Sequence, residues 1–229
     1  MANEIIPYIE MCRREGVSLQ RGMNFELGGH HSVILMSVRP GAPYADRLED
    51  DGSTVIYEGH DVPQSNQHPN PKRVDQPMFT PSGQSTENAK FHSAAQEFKA
   101  RRRPPERIQV YEKIKQGIWS YNGVFHLVDS WIEQSGGRNV FKFKLVAVEG
   151  EEDFSLPVPK QSKTRRVIPT TVKLEVWKRD SGKCAKCGAI EDLHFDHIIP
   201  WSKGGSSNTG DNIQLLCGKH NLEKHDKIE

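Results

Sequence analysis

The sequence predicts an α+β protein of two modules: a larger β-rich unit and a small, metal-stapled strand–loop–strand–helix unit. Three observations predict this. Strand-length apolar runs recur between residues 33 and 146, each bounded by turn residues. A stretch of linker composition follows near residue 149. Beyond it, Cys184-x-x-Cys187 and Cys217-x-x-His220 form two ligand pairs with the spacing of a metal staple.

In chain order, residues 3–15 have the apolar spacing of a short amphipathic helix. The runs Val33–Met36, Val55–Tyr57, Ile108–Tyr111, Gly123–Val128 and Val140–Val146 are rich in β-branched and aromatic residues, as strands are. Such a series suggests a β-barrel or sandwich. Residues 61–85, rich in Pro, Asn, Gln and Ser, read as a long loop. A helix is expected at 86–102, with Thr86 as N-cap and Phe91, Ala94, Ala95 and Phe98 as its apolar face. The acidic Glu149–Asp153, the stiff Pro157-Val158-Pro159 and the basic Lys160–Arg166 then make a linker. The expected division is 1–148, linker 149–168 and 169–229. In the last part a helix at 170–180 leads into Cys184, Leu193–Ile199 and Asn212–Leu216 are strands, and 218–227 is a closing helix.

Composition narrows the function classes less than the motifs do. The 229-residue chain carries 31 Lys+Arg against 30 Asp+Glu, so overall charge does not announce a nucleic-acid partner. Two local basic clusters, Arg101–Arg103 and Lys160–Arg166, are candidate phosphate contacts. No apolar run approaches the ~20 residues that span a bilayer, and Met1–Glu4 does not open a signal peptide. Three of the four cysteines lie in the ligand pairs, which fits a reducing cytoplasm better than a disulfide framework.

Zinc prefers four tetrahedral nitrogen and sulfur ligands. Cys184, Cys187, Cys217 and His220 supply all four, which leaves no open position and makes the expected zinc structural. Between the pairs lie Phe195-Asp196-His197-Ile198-Ile199-Pro200, a Gly204-Gly205 loop, Asn212-Ile213-Gln214-Leu215-Leu216-Cys217, and Asn221. This series resembles the HNH endonucleases over roughly residues 165–229. Phosphodiester hydrolysis needs an activated water and a charge sink for the leaving oxygen. A neutral histidine can take a proton near pH 7, and that role falls to His197. Asp196 is a hard oxygen ligand for a catalytic divalent cation, Mg²⁺ or Mn²⁺. The resemblance implies Asn221 as second metal ligand, with His225 as an alternative four residues on, and Asn212 as the residue that holds the His197 loop and orients the imidazole.

Upstream, Tyr121-Asn122-Gly123-Val124-Phe125, with Val128, Trp131 and Phe141–Leu145, resembles the closing half of SRA (YDG) domains, Asn122 standing for the signature Asp. Val33–Val38, Pro43-Tyr44-Ala45-Asp46, Asp50-Asp51-Gly52 and Val55–Gly59 resemble the pocket-forming half. The resemblance covers roughly residues 18–148 and implies an SRA-like β-barrel that flips 5-methylcytosine or 5-hydroxymethylcytosine out of DNA. Flipping costs a few kcal/mol, returned in part by aromatic stacking of ~1–3 kcal/mol per base. Tyr44 and Tyr57 match the aromatic walls, and Asp46 is the candidate acceptor for the cytosine amine. His30, His31, His60 and His68 lack paired spacing and read as loop or solvated histidines.

Together the modules imply a modification-dependent, type IV-like HNH restriction endonuclease of a bacterial cytoplasm. Its expected partner is double-stranded DNA containing modified cytosine; no membrane is expected. One active site cuts one strand, so a homodimer is expected on DNA. The alternatives are a non-catalytic reader of methylated DNA and an HNH nuclease indifferent to modification.

Overall fold

A computed structural model describes residues 3–49, 52–148 and 167–228. Most of the expected linker, with the Lys160–Arg166 cluster, lies outside the described residues, as do Asp50 and Asp51. Among the described residues, no helix is long and apolar enough to cross a membrane.

The longest strand, β7 (Ile118–Ser135), organises the sheet. Its N-terminal part lies antiparallel between β1 (Glu4–Pro7) and β6 (Glu106–Lys115). Its C-terminal part pairs with β8 (Arg138–Ala147) across the Gly136-Gly137 turn. The register shifts between Leu127 and Asp129, and such a bulge bends the strand as it changes partners. β3 (His31–Met36) runs parallel to β6, and β2 (Met23–Leu27) lies outside β3. β5 (Thr54–Glu58) pairs with β8, and β4 (Arg47–Glu49) with β5. On the far side, β9 (Leu193–His197) pairs with β1, and β10 (Ile213–Cys217) with β9. The ten strands of the described residues form one sheet.

The sheet is not the closed barrel the sequence suggested. Among the described residues, β2 pairs only with β3 and β4 only with β5, so the ladder has free ends. A helix packs against β2, β7 and β8 of this open sheet. α2 (Glu87–Lys99) starts at Thr86, whose hydroxyl accepts from the Ala89 amide as expected of an N-cap. Its Phe91 meets Phe25 of β2 at 5.2 Å and Phe143 of β8 at 5.9 Å, both edge-on. Phe91, Ala94 and Ala95 join Phe125, Leu127, Phe141, Phe143 and Leu145 in the main core.

The expected helix at 3–15 also divides. Ile5 and Ile6 are β-branched and find strand partners, so residues 4–7 pair with β7. The helix α1 begins only at Tyr8 and ends at Glu15, capped by Gly16. α3 (Thr170–Arg179) forms as expected. α4 (Gly218–Lys224) stops three residues early, because His225 takes a left-handed φ of 47° that a helix cannot continue.

Candidate functional site

Two separate sites emerge. The first is a cavity of about 710 Å³ in the N-terminal half, whose lining includes Ser37, Tyr44, Asp46, Tyr57, His60 and Trp119. All three residues expected to form a base pocket therefore meet in one cavity. Tyr57 projects from β5, is 1 % exposed and lines the cavity. Asp46 lies just before β4, where its two carboxylate oxygens accept from the backbone amides of Ser37 (3.1 Å) and Glu58 (3.0 Å). Burial pushes its carboxyl up to about 7, although those amides pull the other way. Asp46 thus sits near the boundary between acceptor and donor at neutral pH.

His60 is the pocket residue that sequence reasoning missed. It is neither solvated nor part of a metal cluster. Its ring stacks on Tyr44 at 5.6 Å with an interplanar angle of 24°, and its Nε2 lies 3.1 Å from the Tyr57 hydroxyl. Its backbone is clamped by Asn88 of α2, which accepts from the His60 amide and donates to its carbonyl, both at 2.8 Å. Burial lowers the imidazole to about 4, so the ring is neutral at pH 7. The available signal was position: His60 lies three residues after Tyr57, just beyond the end of β5. The Lys72 ammonium sits 3.9 Å from the Tyr44 ring centroid, a cation–π arrangement.

Behind the pocket lies a buried charge network. Glu58 accepts from Lys142 (2.8 Å) and Arg138 (3.4 Å), and Arg138 donates to Asp61 (2.6 Å). Glu58, Arg138 and Lys142 are each at most 5 % exposed. Pairing of this kind is required, because an unpaired charge at such depth costs several kcal/mol. Glu58 therefore holds the floor rather than facing the cavity. In the expected phosphate-contact cluster, Arg103 is engaged by Glu106 at 2.6 Å, while Arg101 and Arg102 are exposed.

The second site lies on β9, β10 and α4. Cys184, Cys187, Cys217 and His220 bring four donor atoms within 4.8 Å of one another. His220 Nδ1 is 3.4 Å from the sulfurs of both Cys184 and Cys217, and the Cys187 and Cys217 sulfurs are 3.9 Å apart. Tetrahedral zinc, with bonds of about 2.3 Å to sulfur and about 2.0 Å to nitrogen, requires separations near ~3.8 Å and ~3.5 Å. The donor set therefore fits one four-coordinate ion. Burial raises the Cys184 thiol, but backbone amides and His220 outweigh it and bring it down to about 6, toward the thiolate a metal needs.

Beside this cluster, Asp196 and His197 end β9. His197 Nε2 lies 2.8 Å from the Ser207 hydroxyl, and burial lowers its pKa. Asn212 accepts from the Ile199 amide (2.8 Å) and donates to the carbonyls of Ile199 (3.1 Å) and Ser206 (2.9 Å). It thus cross-braces the loop that follows His197, while the contact to the imidazole itself comes from Ser207, which the sequence did not single out. A side chain at Gly205 would place its Cβ 1.7 Å from the Ile199 carbonyl, so the brace requires glycine there. Asn221 lies on α4 and is partly buried. His225 does not share its helix face, because α4 has ended and the residue is exposed. Lys224 was also missed. It is 1 % exposed, and its ammonium is 3.0 Å from Asp196 Oδ2.

Residues 182–227 match the family model of the HNH endonucleases. That match contains the Cys₃His cluster, Asp196, His197, Asn212 and Asn221. Among curated proteins, the chain is 27 % identical over 203 residues to the histone-lysine N-methyltransferase family member SUVH2 of Arabidopsis thaliana, covering 80 % of this chain and 30 % of the relative. It is 28 % identical over 67 residues to SUVH9 of the same plant, covering 29 % of this chain and 10 % of the relative. The chain thus spans less than a third of the curated relatives it matches. Similar solved structures include the SUVH5 SRA domain with hemimethylated CG DNA, at 23 % identity and TM-score 0.44, covering 67 % of this chain and 90 % of that one. They also include the modification-dependent TagI restriction endonuclease, at 17 % identity and TM-score 0.45, covering 99 % and 78 %. The phosphorothioation-dependent endonuclease ScoMcrA is similar at 15 % identity and TM-score 0.47, covering 99 % and 57 %.

Proposed function

We propose that the protein is a modification-dependent DNA endonuclease of type IV character, reading a modified cytosine with its N-terminal cavity and cutting the backbone with its HNH module. One observation carries this reading: Asp196 and His197 stand together on a braced hairpin beside the Cys₃His cluster, inside the HNH match and on the same sheet as an aromatic and carboxylate cavity.

His197 is the general base. Ser207 holds its Nε2, and Asn212 fixes the loop behind it. Asp196 and Asn221 are the residues that would hold a divalent cation, Mg²⁺ or Mn²⁺. Asp196 Oδ2 is buried without a well-aligned hydrogen bond and faces a cation already, the Lys224 ammonium, so the site suits positive charge. A divalent cation bound there supplies charge neutralisation for the leaving 3′ oxygen. The Cys₃His cluster holds structural zinc. In the cavity, Tyr44 and Tyr57 are the aromatic walls, Asp46 is the polar contact to the cytosine edge, and His60 is a further lining residue. The substrate is double-stranded DNA with 5-methyl- or 5-hydroxymethylcytosine, and a double-strand break needs two protomers.

Lys224 also favours a second reading. Its ammonium neutralises Asp196 and so competes with a divalent cation, which suits a non-catalytic reader that uses the zinc module as a clamp. Plasmids that are unmodified, 5-methylcytosine-containing or 5-hydroxymethylcytosine-containing, each with Mg²⁺, Mn²⁺ or EDTA, separate the two. Metal-dependent cutting of modified plasmid alone supports the endonuclease. Selective binding without cutting supports the clamp, and equal cutting of all three plasmids leaves a nuclease without a reader.

A further inference from the structure

We infer that Lys173 is a positioning residue that locks the cutting module onto the reading module, so that cleavage falls at one fixed offset from the modified base. The inference rests on the endonuclease reading for its activity readout, but its geometry is independent of it.

Lys173 lies on α3, in the C-terminal module, yet its ammonium is buried against the N-terminal one. It donates to Glu112 of β6 at 2.6 Å and to Asn122 of β7 at 2.7 Å. Asn122 donates in turn to Glu112 at 2.9 Å, and Thr170 of α3 donates to the other Glu112 oxygen. Lys173 and Glu112 are both 0 % exposed. A buried carboxylate with directed partners tolerates little sliding or rotation, because any displacement leaves charge unpaired at low dielectric. Asn122 matters here for being neutral: it satisfies Lys173 without placing a second negative charge beside Glu112.

Three further contacts cross the same boundary. β1 is hydrogen-bonded to β7 on one edge and β9 on the other, with Ile6 packed into an N-terminal core and Ile5 against the C-terminal ones. Val167 packs into the main N-terminal core, and its amide donates to the Gly52 carbonyl at 2.9 Å. Gly52 has a φ of +89°, and a Cβ there would lie 2.4 Å from the Val167 carbonyl, so this approach is closed to other residues. Lys115 of β6 lies over the Trp177 ring of α3 at 4.8 Å. The modules are therefore joined at several points, with the Lys173 cluster as the buried, charged one.

The test uses the full chain, a duplex with a single modified cytosine, and end-mapping of the products. Lys173→Met leaves the Glu112 charge without its Lys173 counter-charge, so Lys173→Met/Glu112→Met, which removes both charges, is made beside it as a variant that keeps an apolar fill. Binding to the modified duplex is expected to stay within about twofold of wild type, since the pocket is untouched. Cutting at the wild-type phosphate is expected to fall by about 10²-fold, the scale of a small misplacement of reacting groups, with new cuts at neighbouring phosphates. A folded variant that still cuts sharply at the wild-type phosphate overturns the inference. If wild type does not cut, the endonuclease reading has failed and the lock is tested without it. Co²⁺ loaded into the Cys₃His cluster should then induce paramagnetic shifts on N-terminal amides that fit one fixed orientation in wild type and shrink by averaging in the double variant. Shifts that are equal in both, or averaged already in wild type, overturn it.

Discussion

The two sites are built by opposite strategies. The C-terminal site draws its residues from one short stretch, Cys184 to Lys224, held by a metal-sized cluster and one asparagine brace. The N-terminal cavity draws on residues as distant as Leu19 and Trp119, brought together by sheet pairing and by α2. A site closed by a local staple should fail all at once when the staple goes. A site assembled from a distributed core should fail by degrees.

The largest effect is expected from a zinc chelator, on the proposal that the Cys₃His cluster holds structural zinc. Structural zinc contributes about 10–16 kcal/mol in small zinc modules, comparable with the whole stability of a domain, about 5–15 kcal/mol. A strong zinc chelator is expected to abolish amide protection across 184–224 while β3, β6 and β8 keep theirs, as hydrogen exchange would report. Uniform loss across both modules would show that the cluster is not a local staple.

His197→Ala is expected to lower cutting by about 10²–10⁴-fold, the usual contribution of a general base, with modified-DNA binding unchanged in a mobility-shift titration. Loss of binding would mean that the two sites are not separable.

Asp46 sharpens the comparison through pH. Its carboxyl is raised to about 7 when folded, chiefly by burial, against an ordinary value of 3.8. Between these values the folded state holds the extra proton, so Asp46 lowers stability as pH rises from about 4 through 7. Asp46→Asn should therefore gain on wild type over that range, by up to about 4 kcal/mol, in denaturant titrations at pH 4 and pH 8. A stability difference that does not change with pH contradicts the buried position of the carboxylate.

The smallest expected effect is at the aromatic wall. Tyr44→Ala should weaken modified-DNA binding by about 1–3 kcal/mol and leave the C-terminal module intact. An unchanged preference for modified DNA would place the base elsewhere.

This contrast also explains what was legible in the sequence. The Cys₃His cluster and the Asp196-His197 pair could be read directly, because the cluster's ligand spacing and the pair's adjacency lie in one short stretch of chain. Tyr44, Asp46 and Tyr57 could be read only through resemblance, since nothing local brings them together. His60 offered only its position three residues after Tyr57, because its place depends on Asn88 of α2, twenty-eight residues away. Lys173 carries no local signal, because its partners, Glu112 and Asn122, lie on strands of the other module. The helix expected at 3–15 failed for the same reason, as Ile5 and Ile6 are claimed by strand partners more than a hundred residues distant. The barrel failed because closure is decided by which edge strands meet, and no strand pattern encodes that β2 and β4 do not pair with each other.

The most direct test of the central claim is the single-turnover cleavage rate of two duplexes that differ only at one cytosine, modified or plain, with Mg²⁺ or Mn²⁺ present. The account predicts cutting of the modified duplex near that base and no cutting of the plain one. Equal rates on both, or no cutting of either, would contradict the joining of a base reader to a nuclease in this chain.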